Sequence, residues 1–264
     1  MPDVAVVIDD LRDESQELDA LVRELSAGQW AAPTPAPGWS IAHQIAHLTW
    51  TDGVALLAAT DADAFAGEVA KAERQPESFV DQGAGELAVL APDALLARWR
   101  DGRTRLDAAL RNVPAGTRIP WYGPPMSVAS MATARIMETW AHGQDIADAL
   151  GVTRTPTARL RHVARIGVRA RDYAHEVRGI EAPEEEFRVE LTAPDGEVIA
   201  HGPEGVAQRV TGPLLDFCLL VTQRAHRDDL AVRAYGPDAD RWLDIAQAFA
   251  GPAGAGRAPQ GGGK

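Results

Sequence analysis

The hydrophobic pattern of this chain changes period once, near residue 182, and that change limits the fold more than any other feature. Before it, apolar residues recur at helical spacing; after it, they alternate. Val4, Val7, Ile8, Leu11, Leu18, Leu21, Val22 and Leu25 mark a first helix over about residues 3–27, with Gly28 as its stop. After the connector APTPAPGW, Ser40 is placed to cap a second helix reaching about residue 60. Residues 62–90 are ambiguous, because Pro76, Gly83 and Gly85 interrupt helical pieces. Pro92 and Asp93 open a third helix over about 92–112, and RIPWYGPPM, with three prolines, is a loop. A fourth helix runs from Ser127 to Leu150, where Gly151 ends it, and a fifth from Thr155-Pro156 to about Arg178.

Beyond residue 182, FRVELTAPDGEVIAHG alternates on both sides of Asp195-Gly196, which predicts a hairpin. An apolar helix (about 211–224), a short strand near LAVRAYG and a helix around 238–250 follow. The expected architecture is mainly α: an antiparallel four-helix bundle over 1–181, with an extra connecting helix at about 156–178, then a small α+β domain over 182–250. Residues 251–264, GPAGAGRAPQGGGK, are expected to be a disordered tail.

Composition excludes several classes of function. A net charge of −12 argues against a nucleic-acid partner. No apolar run is long enough for a membrane span, and the acidic N-terminus is unlike a signal peptide, so a cytoplasmic location is expected. The single cysteine, Cys218, rules out an intramolecular disulfide and a Cys-rich metal site, and in LLDFCLLV it reads as a small buried hydrophobe. The arginines of 154–171 read as a solvated helix face, with contact to an anionic substrate as the alternative. A homodimer is among the assemblies the sequence allows.

The chemistry concentrates on the fourth helix. In ETWAHGQD, Glu138 and His142 are one turn apart on a stripe shared with Met131, Asp145 and Ala149. Carboxylates and an imidazole among Met, Ala and Ile are not a solvated face, and buried ionisable groups need partners, of which a divalent cation is one. An i,i+4 hydrogen bond within the helix explains the pair equally well. A further ligand would come from HQIAHLTWTD on the second helix, where His43 and His47 are also one turn apart and His47 lies nearer the apolar stripe. Asp52 falls within that stripe, placed to hydrogen-bond a ligand histidine or a substrate. Two imidazoles and a carboxylate suit Zn²⁺, with Fe²⁺ or Ni²⁺ as alternatives, and leave coordination positions open. The tryptophans read mainly as packing, with Trp50 and Trp140 nearest the proposed metal.

APGWSIAHQIAHL followed about ninety residues later by ETWAHGQDIADALG resembles the mycothiol-dependent maleylpyruvate isomerase family, within the DinB-like metal-binding helical bundles. The resemblance covers the first 150 residues and, more weakly, the C-terminal part. It implies that His47, Glu138 and His142 hold the metal, with His43, Asp52 and Asp145 in support. It further implies a low-molecular-weight thiol, mycothiol or similar, that binds at the metal as thiolate, adds to a cis double bond conjugated to a carbonyl, and is eliminated after rotation. Arg224 is the matching candidate for holding an acidic substrate, with Arg227 in competition. The expected function is thus a metal-dependent isomerase or transferase using a thiol. A metal-dependent hydrolase with Asp52 or Asp145 as general base, and a non-catalytic metal- or ligand-binding protein, are the alternatives.

Overall fold

A computed structural model of the chain describes residues 3–261, so the last three residues of the expected tail, 262–264, lie outside the described residues. The chain divides into two compact units, Met1–Arg154 and Thr155–Lys264. The first unit contains α1 (Val4–Val22), a short α2 (Ala27–Trp30), α3 (Ile41–Thr60), α4 (Ala62–Arg74), α5 (Phe79–Ala88), α6 (Pro92–Asn112) and α7 (Val128–Leu150). Its frame is a bundle of the four long helices α1, α3, α6 and α7. The helix limits follow the capping residues: Ser127 Oγ accepts from the Ser130 N–H at the start of α7, and Gly151 closes that helix at φ +66°, a conformation glycine adopts without strain.

Two helices run each way. Leu18 and Val22 of α1 share one core cluster with Ile146 of α7, while Val7, Ile8 and Leu11 share the other with Val128, Met131 and Ile136. These neighbours therefore run parallel. The same holds for α3 and α6: Ile41, Ile45 and Leu48 group with Leu95, Leu96 and Trp99, and Val54, Ala55 and Ala58 with Leu106 and Leu110. The antiparallel contacts are α1 against α6, tied by Asp19 to Arg100 and by Asp9 to Arg111, and α3 against α7. Parallel neighbours need a connection that returns along the bundle, which is about 30 Å for a helix the length of α6. Residues 61–91 supply it by folding into α4 and α5 against α3.

The glycines that make 62–90 ambiguous in sequence lie inside α5, and one of them is needed there. A Cβ on Gly83 would stand 2.6 Å from Cδ2 of Trp50, so the α5 backbone lies directly on the α3 indole. Around Gly85 there is open space.

The second unit begins earlier than the change of period. α8 (Leu160–Arg169) and α9 (Arg171–Glu176) replace the single connecting helix expected at 156–178, and α8 packs on α10 (Leu214–Val221) where Gly167 admits the Val221 side chain. β1 (Phe187–Thr192) and β2 (Val198–His201) form the expected hairpin, turning through Gly196 at φ +88°. β3 (Gln208–Pro213) pairs parallel to β1 and antiparallel to β4 (Arg233–Tyr235), which gives the order β2-β1-β3-β4. α11 (Pro237–Ile245) follows, its first N–H groups capped by Gln208 Oε1 at 3.1 and 3.0 Å. Phe187, Val189 and Leu191 point inward with Val210, Phe217 and Trp242. Cys218 is fully buried among them, and burial pushes its thiol pKa up, so it is the inert core residue expected.

The segment expected as a disordered tail is held as far as it is described. Tyr173 Oη donates to the Gly251 carbonyl, Gln247 Nε2 donates to the carbonyls of Gly251 and Pro252, and the Gln260 N–H donates to Asp229.

The close α3–α5 approach yields a paired prediction. Gly83→Ala should destabilise the protein by about 1–3 kcal/mol through overpacking on a large ring. Gly85→Ala, two residues away on the same helix, should be neutral or stabilising by up to about 1 kcal/mol. Urea denaturation of both variants checks the pair; equal effects would place the constraint elsewhere.

Candidate metal centre

α3 and α7 meet antiparallel along a line of polar pairs. Gln44 lies against His142, His47 against Glu138, and Thr51 and Asp52 against Arg135. At the middle pair, Nε2 of His47 and Nε2 of His142 each stand 3.2 Å from the same oxygen, Oε2 of Glu138. The imidazole centroids are 4.5 Å apart. Among the described residues, these three form the only group of His, Cys, Asp or Glu whose ligand atoms all lie within 4.8 Å of one another. The helix geometry explains the convergence: Glu138 and His142 project from one face of α7, and α3 brings a single histidine opposite the gap between them.

The donor set fits a divalent cation. An amide oxygen only accepts, so the hydrogen bond between Gln44 Oε1 and His142 Nδ1 places a proton on Nδ1. A neutral imidazole then presents a bare lone pair at Nε2, facing a carboxylate oxygen, an arrangement that is repulsive unless a positive charge lies between. A cation between them would accept one lone pair from each imidazole Nε2 and one from the carboxylate. Glu138 is anionic with or without that cation. Burial by itself would raise its pKa, but hydrogen bonds from His142 and His47, and their positive charge when protonated, hold the carboxyl well below the ordinary carboxylate range.

Aromatic rings wall the cluster. Trp39 stacks on His142 at 5.9 Å and 17° and also lies 5.3 Å from the His47 ring. Trp50 contacts His47 at 5.9 Å, then Phe79 and, through it, Tyr122. Trp140, expected beside the site with Trp50, instead turns its ring towards Arg154. The rim is thus shared between Trp50 and Trp39, which the sequence offered only as packing.

The other residues singled out in the sequence fall as follows. His43 serves the start of α3: its Nδ1 accepts from the Ser40 N–H at 3.3 Å and lies 2.8 Å from the Ser40 hydroxyl. Asp52 is buried in an ion pair with Arg135 at 2.9 Å, and it borders a cavity lined by Leu11, Ser15, Arg103 and Leu106 between α1 and α6. Its carboxylate is committed to a guanidinium rather than to a ligand histidine. Asp145 is buried on α7, one turn beyond His142. Arg224 lies in the second unit, outside the bundle, and donates to the Thr222 carbonyl. Its competitor Arg227 is held by Asp240 and Asp244. Arg154, read as part of a solvated basic face, is drawn in by the buried Glu14 and by the Trp140 carbonyl.

Fold and site together define a four-helix protein with a candidate divalent-metal centre between two facing helices. The family described as mycothiol maleylpyruvate isomerase N-terminal domain matches residues 11–147, just over half of the chain and the whole of the His–Glu–His cluster. The chain belongs to that family. Residues 183–234 match a second family, described as wyosine base formation. Two uncharacterised proteins from two strains of Mycobacterium tuberculosis are each 57% identical over 257 residues, covering 97% of this chain and 100% of theirs. Two crystal structures of the mycothiol-dependent maleylpyruvate isomerase, one of them a histidine-to-alanine mutant, superpose with a TM-score of 0.60. They are 16% identical, covering 89% of this chain and 95% of theirs, and share its fold.

The commitment of Asp52 to Arg135 is testable. Asp52→Ala should cost about 3–5 kcal/mol by leaving a buried guanidinium unpaired, and Asp52→Ala with Arg135→Met should recover most of that loss. Thermal unfolding of the single and double variants measures it. A single variant as stable as the wild type would show that Arg135 does not depend on this carboxylate.

Proposed function

We infer that this protein is a divalent-metal-dependent enzyme that uses a low-molecular-weight thiol, mycothiol or a close equivalent, to isomerise or modify a small acidic, carbonyl-conjugated substrate. The observation that carries this reading is the meeting of two imidazole lone pairs and one carboxylate within 4.8 Å, inside the segment that matches the isomerase family. His47, Glu138 and His142 would hold the ion, Zn²⁺ best and Fe²⁺ or Ni²⁺ with the same donor set. When bound, such an ion supplies a Lewis-acid position that favours the thiolate form of a thiol at neutral pH.

The chain's own residues support the rest of the task. Three protein ligands leave coordination positions open, which is the arrangement of a catalytic rather than a structural centre. Trp39 and Trp50 flank the cluster with apolar surface, which excludes water from one side and strengthens electrostatic attraction to an anionic sulfur. A single remaining negative charge, that of Glu138, leaves a net positive centre once a divalent ion is in place, suited to a thiolate and an acidic substrate together. Of the two carboxylates the hydrolase alternative offers as base, Asp52 is held by Arg135, which leaves Asp145.

Zn²⁺-loaded protein should isomerise cis-configured α-keto enoic acids such as maleylpyruvate only when mycothiol is present, and Glu138→Gln should lower kcat/KM at least about 100-fold. Steady-state absorbance assays with and without thiol and chelator check this. Turnover that persists without thiol, or hydrolysis of ester analogues with metal alone, would contradict it.

A further inference from the structure

The hydrogen bonds behind His142 form a one-way chain that leads out of the bundle core into the loop before α3. Thr34 Oγ1 donates to the Trp39 carbonyl oxygen at 2.9 Å, and that carbonyl also accepts from the Thr34 N–H at 2.8 Å. With its proton spent there, the Thr34 oxygen accepts from Gln44 Nε2 at 2.8 Å. The Gln44 amide is thereby oriented with Oε1 towards His142 Nδ1. Gln44 is fully buried, so the orientation of its amide is set by these partners and not by solvent.

The opposite orientation is chemically complete as well. If the Thr34 hydroxyl turned to donate to Oε1, the amide NH₂ would face Nδ1, and the ring proton would move to Nε2, where it would bond Glu138. That state satisfies the empty cluster and blocks the metal position on His142. Which of the two prevails depends on where one hydroxyl proton points, and the loop of residues 34–39 decides it by placing the Trp39 carbonyl within reach. The same loop lays the Trp39 ring on His142. His47 has no equivalent: its Nδ1 is buried without a hydrogen-bond partner among the described residues.

We propose that Thr34 and Gln44 are positioning residues that hold the His142 ring with Nδ1 on Gln44 Oε1 and Nε2 turned to His47 and Glu138, so that the cluster is ready for a metal ion before the ion arrives, with His142 the fixed ligand and His47 the adjustable one. This rests on the metal-binding reading above. Neither residue touches substrate or ion; both act through the imidazole.

The test uses the full chain and two readouts. Competition of the protein with a chromophoric chelator for Zn²⁺ should show Gln44→Leu weakened about 10–100-fold and Thr34→Val weakened less, with Gln44→Glu near the wild type because a carboxylate accepts from Nδ1–H whichever way it turns. ¹⁵N shifts of the metal-free protein should show His142 protonated on Nδ1 in the wild type and shifted towards the Nε2–H form in Thr34→Val. Circular dichroism identifies any variant that fails to fold, and Thr34→Val tests the chain without removing the buried amide. Zn²⁺ affinity of folded Gln44→Leu within twofold of wild type, or a wild-type His142 with no proton on Nδ1, would overturn the proposal. If the wild type takes up no Zn²⁺, the proposed function fails, and the ¹⁵N shifts of the metal-free protein still decide whether the relay sets the tautomer.

Discussion

The contact between α3 and α7 carries a line of buried polar pairs between two apolar clusters, and the bundle is arranged around that line. Gln44, His47 and Asp52 descend one helix while His142, Glu138 and Arg135 ascend the other, so each buried polar group meets a partner of matching chemistry. Burying a lone carboxylate or guanidinium costs several kcal/mol, which a correct antiparallel register offsets and a slipped one does not. A shift of one turn would set Asp52 against Glu138 and leave Arg135 facing Ala or Val side chains. Polar pairing therefore specifies the alignment of these helices, while the apolar clusters on either side supply the burial.

The remaining architecture serves that alignment. α3 packs parallel to α6, Trp39 and Trp50 stand beside the α3–α7 line, and α4 and α5 pack on α3. Gly83 lets α5 come down to the indole, whose other contacts are His47 and Phe79. The aromatic rim and the crossover are consequently tied together: the chain that returns along the bundle packs on Trp50 through Gly83 and Phe79 and accepts from Trp39 Nε1 through Asp81.

Much of this was legible in the sequence, for definable reasons. α6, α7 and their limits follow from Pro92, Ser127 and Gly151, whose conformational preferences act locally. The Asp195-Gly196 turn sets its hairpin in the same way. Glu138 and His142 stand out because ionisable groups interrupt an apolar stripe, and the resemblance supplied His47. What sequence pattern did not reveal depends on distant contacts. β3 begins ahead of the helix expected over about 211–224 and takes its first three residues, because only Val210 among the inward residues of β3 is a strong strand former; Gln208 faces inward to cap α11, which no local pattern records. Trp39 reads as packing and Gln44 gives no signal, because an indole and an amide in a helix-start motif have ordinary packing roles, and only the arrival of α7 gives them His142 as a neighbour. Asp52 is awkward in its apolar stripe, but the sequence pattern does not name its partner, Arg135, which lies 83 positions away.

The central claim is that the rung formed by His47, Glu138 and His142 holds a metal ion, and native mass spectrometry of the intact chain measures this most directly. After loading with Zn²⁺ and removal of excess, the account predicts one ion per wild-type chain and its loss in His47→Ala, Glu138→Ala and His142→Ala variants that retain their helical content. A wild-type chain that emerges without an ion, or an ion retained by all three variants, would contradict it.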